Sequence, residues 1–351
     1  MSWYLESGKD SDIVLSTRIR IKRNFDDVFF IPKASEKDQE EVFNRIKKVL
    51  PKLKEKLNII QLKDLDSITI KELIEKNLIT PEFANYYLIK DFNKKIIERS
   101  LNKNINNIDY RYIFINDNED VCITINHENH FNIQAFSSGN EIQSLYDKVQ
   151  QLNDEIGNNY SLAFDTQYGY LTSSIVDLGT AMKISAFVHL PALKQTGGIN
   201  RVLDLVEKLG MNVKKIPYIL GESVYQISTR QTLGISEEDL IKNFQAVIST
   251  IVKQERETRK YYADNSVDFR DKIYRSLGIL LYAKKIDQQE GEELISNIKL
   301  GVDLGIIDTI DDSQIRKYMI YNKAANLQKA LKNTFTEKEL QIERAKYFQQ
   351  I

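Results

Sequence analysis

The chain has 351 residues, of which 49 are Lys or Arg and 50 are Asp or Glu, so its formal net charge is -1. This length can hold a large core and about two domains, and the even charge balance argues against a general nucleic-acid binder. The single cysteine, Cys122, excludes an intramolecular disulfide framework and suits a reducing compartment. The N-terminus has no basic segment followed by an apolar run, and no apolar stretch is long enough to span a bilayer. We therefore expect a soluble cytoplasmic protein that has neither nucleic acid nor a membrane as its partner.

The first patterned segment runs from Ser11 to Asn24, where apolar residues alternate with Arg18, Arg20 and Lys22. A period of two places these three cations on one face of an extended strand. Cations on one face repel each other unless an anion lies between them. The segment therefore predicts either an anion site or a solvated sheet edge that is protected by basic residues.

Helical and extended patterns follow. The stretches 35–57 and 68–91 have the spacing of amphipathic helices, and the runs 110–115 and 121–125 are typical of a β-hairpin. Directly after the hairpin come His127 and His130, three residues apart and close to a glutamate. That spacing could indicate a metal site, but no fourth ligand is evident. We predict no metal centre here.

The central stretch, from Phe164 to Pro191, is typical of two strands joined by a polar segment that contains Gly179. Small hydroxyl residues beside a glycine allow the backbone to approach a ligand closely. The chain also contains the phrases LIEKNLITPEFA, RDKIYRSLGILLYAKKI and LISNIKLGVDLGIIDTI. With these phrases, the central stretch and the Arg18–Arg20 segment, the chain resembles the ATP:guanidino phosphotransferases, or phosphagen kinases. Within that family it is most similar to the bacterial McsB-type protein arginine kinases.

This resemblance implies an α+β fold in three parts. Residues 1–95 would form a small helical N-terminal region of the kinase-like domain. Residues 96–262 would form the phosphagen kinase catalytic fold, a central antiparallel β-sheet flanked by helices. Residues 263–351 would form an all-helical domain that mediates dimerisation and senses phosphoarginine.

The resemblance also implies ATP and Mg²⁺ as cofactors, with Arg18 and Arg20 bound to the nucleotide phosphates. Lys183 stands where the family has a phosphate-binding arginine, and Asn132 where it has a nucleotide-binding arginine. Lysine keeps the charge but loses the planar fork that binds phosphate through two hydrogen bonds. An ordinary solvated strand lysine is an equally good interpretation of Lys183.

The catalytic positions of the family are partly changed. Glu128 stands at the position of the catalytic base, whereas His127 and Asn129 replace two family carboxylates. Ser174 takes the place of a thiol that assists guanidinium binding, and a hydroxyl cannot supply a thiolate near neutral pH. The resemblance places Asp177 near Glu128, where it could pair with a substrate guanidinium.

Two further positions follow from the resemblance. Glu222 is the one carboxylate in the segment 214–228, where the family has its second catalytic glutamate. The alternative is a tight hairpin capped by a polar residue. Arg344 lies in the stretch that corresponds to the family's phosphoarginine-sensing motif, and a solvated arginine on a terminal helix is the alternative.

Three functions stay open. The first is a catalytically impaired or inactive homologue, a pseudokinase, with a regulatory or scaffolding role in protein quality control or the stress response. It would work as a homodimer, or with an McsA-type adaptor, an McsB paralogue or a Clp chaperone. The second is an active protein arginine kinase in which Lys183, Lys214 and Lys215 rebuild the nucleotide site. The third is a module that binds arginine or phosphoarginine in other proteins without reacting.

Overall fold

A computed structural model describes residues 2–84, 108–216 and 219–350 of the chain. The described part is built around an antiparallel sheet of eight strands in the order β2-β3-β4-β5-β1-β8-β10-β9, beside a two-stranded ribbon, β6-β7. The strands are β1 (Val14–Arg23), β2 (Asn58–Gln61), β3 (Tyr112–Ile115), β4 (Val121–Ile125), β5 (Phe131–Ser138), β6 (Phe164–Asp165), β7 (Gly169–Tyr170), β8 (Met182–His189), β9 (Met211–Lys215) and β10 (Val224–Thr229).

Most helices before the C-terminal group pack on one face of the sheet, the short helix Ser67–Glu75 packs on the other face, and the remaining helices form a separate C-terminal group. The helices are α1 (Glu36–Val49), α2 (Ser67–Glu75), α3 (Ile142–Asn159), α4 (Pro191–Gln195), α5 (Ile199–Lys208), α6 (Glu237–Asn265), α7 (Val267–Tyr282), α8 (Gln288–Asp303), α9 (Asp312–Tyr321), α10 (Ala324–Leu331) and α11 (Glu337–Gln350). The predicted α+β fold with an antiparallel sheet and a helical C-terminal region is confirmed. In the described residues no helix combines the length and the apolar character that crossing a membrane requires.

Strand β1 lies in the middle of the sheet, where β5 and β8 hydrogen-bond to it on its two sides. The interpretation of this segment as a solvated sheet edge is therefore wrong. Its alternation places Ile19 and Ile21 in the main core and the basic residues on the opposite face. The predicted N-terminal region, 1–95, thus supplies β1 and β2 to the sheet as well as helices. Its predicted boundary at 95/96 lies outside the described residues.

The main core fixes the strands that carry the basic face. Ile133 and Ile184 from the sheet and Leu145 and Val149 from α3 belong to one buried cluster. Burial of one such side chain contributes about 1.5–3 kcal/mol. Because the inward residues are held in this way, the alternate residues of β1, β5 and β8 are held at fixed positions on the opposite side of these strands. This side, which carries Arg18, Arg20 and Lys183, is called the open face.

The C-terminal helices pack against the end of the sheet where β8 finishes. Leu15 and Val224 of the sheet share a buried cluster with α7, α8, α9 and α11. Buried Arg259 of α6 connects the two parts: its guanidinium donates to Asp303 Oδ2 at 3.0 Å and to the His189 carbonyl at 3.0 Å. The helical C-terminal region is therefore joined to the sheet by both apolar and ionic contacts.

His130 is a structural residue whose hydrogen bonds require a neutral ring. Its Nδ1 accepts from the Phe25 backbone N–H at 2.9 Å, so Nε2 carries the proton that it donates to the Phe29 carbonyl at 2.9 Å. Burial lowers the pKa of His130 to about 4, whereas an unfolded histidine titrates near 6.5. The unfolded chain binds the extra proton first, so stability is complete above about pH 6.5 and is lost as the pH falls towards 4.

We expect this residue to remove about 2 kcal/mol from the free energy of unfolding between pH 7 and pH 5. Urea unfolding of the wild type and of His130→Gln at both pH values checks it, because the difference between their pH slopes isolates this one ring. Identical slopes in the two proteins would contradict the prediction.

Candidate active site

Three cations converge on the open face of the sheet. Arg20 of β1 is paired across the strands with Lys183 of β8, and Arg18 is paired with Ser185. Directly opposed residues have Cβ atoms about 4.5–5.5 Å apart. In the described part of the chain, none of the three cations makes a hydrogen bond or an ion pair with another residue. The sequence predicts that Arg18, Arg20 and Lys22 share one face of β1. In the structure Lys183 of β8 lies beside the two arginines, and these three cations have no ion-pair partner within the described residues.

The charges in this cluster oppose one another. Burial lowers the pKa of Arg18 to about 9, and the neighbouring Arg20 acts in the same direction. Burial also lowers the pKa of Lys183, and the two arginines add to that effect. Like charges that face each other on adjacent strands are destabilising. A bound polyanion would relieve this repulsion, so the donor set fits a nucleotide polyphosphate.

A carboxylate pair lies next to the cations. Lys22, two residues after Arg20, donates from Nζ to Glu128 Oε2 at 2.9 Å and to Asp177 Oδ2 at 2.7 Å. Glu128 comes from the turn between β4 and β5, and Asp177 ends the short 3-10 turn Ile175–Asp177. The Lys22 side chain is only 9% exposed, whereas that of Glu128 is 49% exposed. The two carboxylates thus form a cation site that opens to solvent on the Glu128 side.

Glu128 is ionised at neutral pH. Burial acts to raise the pKa of this carboxyl, but the Lys22 ammonium, with smaller contributions from His127 and Arg20, holds it below its usual range. An ionised carboxylate at this point can bind a cationic substrate group and can accept a proton from it. The charge that a catalytic base needs is therefore present.

The two residues next to Glu128 in the chain, His127 and Asn129, are neutral. Burial lowers the pKa of His127 to about 4, and nearby cations add to the effect, so the ring is uncharged at pH 7. Asn129 accepts through Oδ1 from Asn24 Nδ2 and from the Ser173 N–H, both at 2.9 Å. These bonds tie the end of β1 to the segment that carries Asp177. The described residues contain no group of three or more His, Cys, Asp or Glu side chains that could hold a metal ion.

Comparison of this chain with known proteins shows which family it belongs to. The model of the ATP:guanido phosphotransferase C-terminal catalytic domain matches residues 39–258, and that of the protein-arginine kinase McsB C-terminal domain matches residues 266–351. A protein-arginine kinase of Halothermothrix orenii is 34% identical over 349 residues, which cover 98% of this chain and 94% of the relative. The chain belongs to the protein-arginine kinase family.

Further comparisons agree with this assignment and confirm the family predicted from the sequence. A protein-arginine kinase of Clostridium acetobutylicum is 32% identical over 356 residues, 99% of this chain and 98% of the relative. The crystal structure of lombricine kinase is 20% identical, with a TM-score of 0.57 over 75% of this chain and 71% of that one. The substrate-free duplicated taurocyamine kinase from Schistosoma mansoni is also 20% identical, with a TM-score of 0.58 over 72% of this chain and 33% of that one. At such identities the structures show the shared phosphagen kinase fold alone.

Ser174 and Asn132 lie close to the carboxylate pair formed by Glu128 and Asp177. The Ser174 carbonyl accepts from the Asp177 N–H at 3.0 Å and starts the 3-10 turn, while its hydroxyl has no hydrogen-bond partner in the described residues. Asn132 is paired across the strands with Lys22. Its buried Oδ1 has no hydrogen-bond partner in the parts of the chain that the structure describes. Both predicted site residues therefore lie near Lys22 and the carboxylate pair, and both are neutral.

The structure does not bring Glu222 to Glu128. Glu222 is exposed, and its Oε2 lies 3.1 Å from Lys194 Nζ and 3.0 Å from Lys215 Nζ. It precedes β10 at the end of the sheet where β8 finishes, whereas Glu128 lies beside the start of β8. The eight residues of β8, at a rise of about 3.3 Å each, separate the two ends by roughly 23 Å. We therefore assign Glu222 no role as a second carboxylate, and Lys215 no role in nucleotide binding.

Arg344 lies inside the C-terminal helical packing. It is fully buried, with Nε donating to the Asn322 carbonyl at 2.8 Å and Nη1 to the Ile286 carbonyl at 2.9 Å. These bonds join α11 to the ends of α9 and of the segment before α8. The interpretation of Arg344 as a solvated arginine is therefore wrong, whereas its phosphoarginine-sensing role stays a prediction.

Lys22 is the site residue that the sequence left without a role. Its spacing after Arg20 places it on the basic face, but its partners are 106 and 155 residues away in the chain. The sequence signal was weak: three cations at period two, of which the last lies nearest to the strand end. That pattern gives the face but not the contact with two carboxylates.

Gly179 holds the turn that carries Asp177. Its φ is +99°, and a Cβ at this position would lie 2.1 Å from the Thr232 carbonyl oxygen. We expect Gly179→Ala to lower the free energy of unfolding by at least about 2 kcal/mol, since a left-handed φ alone costs roughly 1–2 kcal/mol in a residue with a Cβ. Gly210→Ala is the matched control, because Gly210 also has a positive φ but a Cβ there would meet no other atom within 4 Å. Equal losses in urea unfolding would contradict this account.

Proposed function

We propose that this chain binds ATP along the open face of β1 and β8 and transfers the γ-phosphoryl group to an arginine guanidinium of a protein. The observation that carries the proposal is the order of groups on that face. Three unpaired cations, Arg18, Arg20 and Lys183, are followed at the next outward position of β1 by a carboxylate pair that holds a cation. A polyphosphate and a guanidinium are the ligands that match those two neighbouring charges.

The nucleotide would lie along the strands with its terminal phosphate towards Lys22. Beyond Arg18, at the opposite end, is a cavity of about 80 Å³. Its apolar walls suit a base, and they include Phe136 and Phe187 of the sheet, Met319 of α9 and Ile219 from the segment between β9 and β10. Mg²⁺ would reach the site on the phosphates, because Mg²⁺ commonly binds through substrate phosphate oxygens rather than through an all-protein cage.

The chain's own groups have defined roles in this reaction. A guanidinium nitrogen attacks the γ-phosphorus, a P–N bond forms, the bond from γ-phosphorus to the bridging oxygen breaks, and ADP leaves. Glu128 takes the proton that the guanidinium loses, and Asp177 accepts a hydrogen bond from a second guanidinium N–H. The cations hold the phosphates in line, and in phosphoryl transfer most of the catalysis comes from such positioning and charge stabilisation.

A regulatory homologue without turnover is the second candidate. Two observations favour it: Lys22 already occupies the carboxylate pair, and the positions taken by Ser174 and Asn132 carry no charge. A protein that binds arginine segments without reacting would show the same features. The dimer, the adaptor or Clp partners and the cytoplasmic location stay predictions.

One experiment separates these functions. The chain is incubated with ATP·Mg²⁺ and an arginine-rich test protein, phosphoarginine is measured by mass spectrometry, and ATP binding is measured by calorimetry. Phosphoarginine that depends on Glu128 supports the proposal. ATP binding without phosphoarginine would favour the regulatory candidate, and no ATP binding at millimolar concentration would overturn both the nucleotide site and the transfer reaction.

A further inference from the structure

We propose that Lys22 is an internal competitor for the guanidinium site. Its ammonium occupies the position that an incoming arginine needs, so it must leave before the acceptor can bind, and it thereby sets the affinity for the acceptor. The inference rests on the proposed function for the identity of the ligand, an arginine guanidinium.

Lys22 contacts both carboxylates of the guanidinium site. Lys22 Nζ lies 2.9 Å from Glu128 Oε2 and 2.7 Å from Asp177 Oδ2, so one ammonium bridges carboxylates from two separate turns. A guanidinium that pairs with a carboxylate through its planar fork needs both oxygens of that carboxylate, and Lys22 already holds one oxygen of each. Two cationic heads cannot both lie within hydrogen-bond distance of these oxygens and also avoid mutual repulsion. Binding of arginine and the Lys22 contact therefore exclude each other.

The net charge of Glu128, Asp177 and Lys22 also affects the binding of arginine. Glu128 and Asp177 bring two negative charges and Lys22 one positive charge, so the group keeps a net charge of -1. That remainder attracts a second cation, whereas the ammonium already present weakens the attraction. Arg20, at the preceding outward position of β1, adds a further positive field that acts on Glu128. The site is thus selective for a cation yet partly neutralised by the chain itself.

A place for the displaced ammonium lies next to the site. Asn132 is the cross-strand partner of Lys22, and its buried Oδ1 has no hydrogen-bond partner in the described residues. A buried acceptor without a donor costs free energy, and Lys22 has a flexible four-carbon stem. Movement of Nζ from the carboxylates to this amide oxygen would satisfy Asn132 and open the site. Lys22 then has two defined positions, one closed and one open.

The test measures binding of N-acetyl-arginine amide by calorimetry without nucleotide, so the result does not depend on phosphoryl transfer. We expect Lys22→Met to bind this ligand about tenfold more tightly than the wild type, a factor that corresponds to the loss of one competing charge-assisted contact. Lys22→Arg places a guanidinium in the chain's own site and is expected to bind at least threefold more weakly. Because it keeps the carboxylates paired, Lys22→Arg decides the question if Lys22→Met does not fold.

Two controls make the result specific. Arg201→Met removes one exposed positive charge of α5 without freeing the carboxylates, and we expect less than a twofold change in arginine binding. The neutral analogue N-acetyl-citrulline amide should bind none of the proteins measurably. Folded Lys22→Met that binds arginine no more tightly than the wild type would overturn the inference, as would Lys22→Arg that binds equally well or better.

The kinetic readout separates this inference from the proposed function. If phosphoarginine forms, Lys22→Met should lower KM for the arginine acceptor about tenfold and leave kcat unchanged or higher. A lower kcat with unchanged KM would show that Lys22 positions the carboxylates for catalysis and would overturn the competitor role. If no phosphoarginine forms but Lys22→Met binds arginine more tightly, the competitor role stands and the transfer reaction does not.

Discussion

Replacing Glu128 with Gln is expected to lower the rate of phosphoryl transfer by about a factor of 10³, within the range that general acid–base catalysis contributes. The substitution removes the group that accepts the guanidinium proton and leaves Lys22 with Asp177 as its carboxylate partner. ATP affinity should change less than twofold, because the phosphate-binding cations are on a different part of the face. The measurement is the rate of phosphoarginine formation at saturating ATP.

Glu222→Gln is the matched control for that prediction. Glu222 is exposed and contacts Lys194 and Lys215 at the other end of the sheet, so its loss should change the rate by less than a factor of two. A loss as large as that of Glu128→Gln would show that the segment 214–228 closes over the site during turnover. It would also restore the second catalytic carboxylate that the family resemblance predicts.

Replacing Arg20 with Met is expected to weaken ATP binding by roughly 30- to 100-fold, since a hydrogen bond to a charged group contributes about 1.5–3 kcal/mol. Arg20 lies between Arg18 and Lys183 in the cluster and has no ion pair in the described residues that would be lost with it. The ligand-free variant should be at least as stable as the wild type, because one repulsive charge has been removed. Calorimetry and urea unfolding measure the two effects.

Arg201, an exposed residue of α5, supplies the control for loss of a positive charge. Arg201→Met should leave ATP affinity within a factor of two. If Arg20→Met binds ATP as tightly as Arg201→Met does, the face of β1 and β8 is not the nucleotide site. If Arg20→Met unfolds more easily than the wild type, Arg20 has a structural partner and the cluster is not preorganised for an anion.

The sequence predicts the fold through its family resemblance, and it predicts the basic face of β1 through a periodic pattern. Alternation along β1 determines which side chains face outward, and the register with β8 places Arg20 opposite Lys183. The core pattern of α1, inside the predicted helical stretch 35–57, likewise follows from helical spacing. Local periodicity is enough for the outward face of β1 and for the helix core, because each depends on residues that are close in the chain. The position of Lys183 came from the family resemblance, and its pairing with Arg20 is seen only in the structure.

The details of the site are harder to predict, because they depend on where turns meet. Lys22 contacts Glu128 and Asp177 only after two turns and a strand end have come together in space. Arg344 shows the same limit: its place on a terminal helix favoured a solvated side chain, but the packing of α11 buries it. Motif position gives the residue type and the neighbourhood, whereas burial and pairing arise from tertiary structure.

The most direct test is a crystal structure of this chain with ADP·Mg²⁺, nitrate and N-acetyl-arginine amide. We expect the diphosphate to contact Arg18, Arg20 and Lys183, the guanidinium to lie between Glu128 and Asp177, and Lys22 Nζ to have left both carboxylates. A nucleotide bound away from β1 and β8, or an arginine bound while Lys22 still bridges the two carboxylates, would contradict the account.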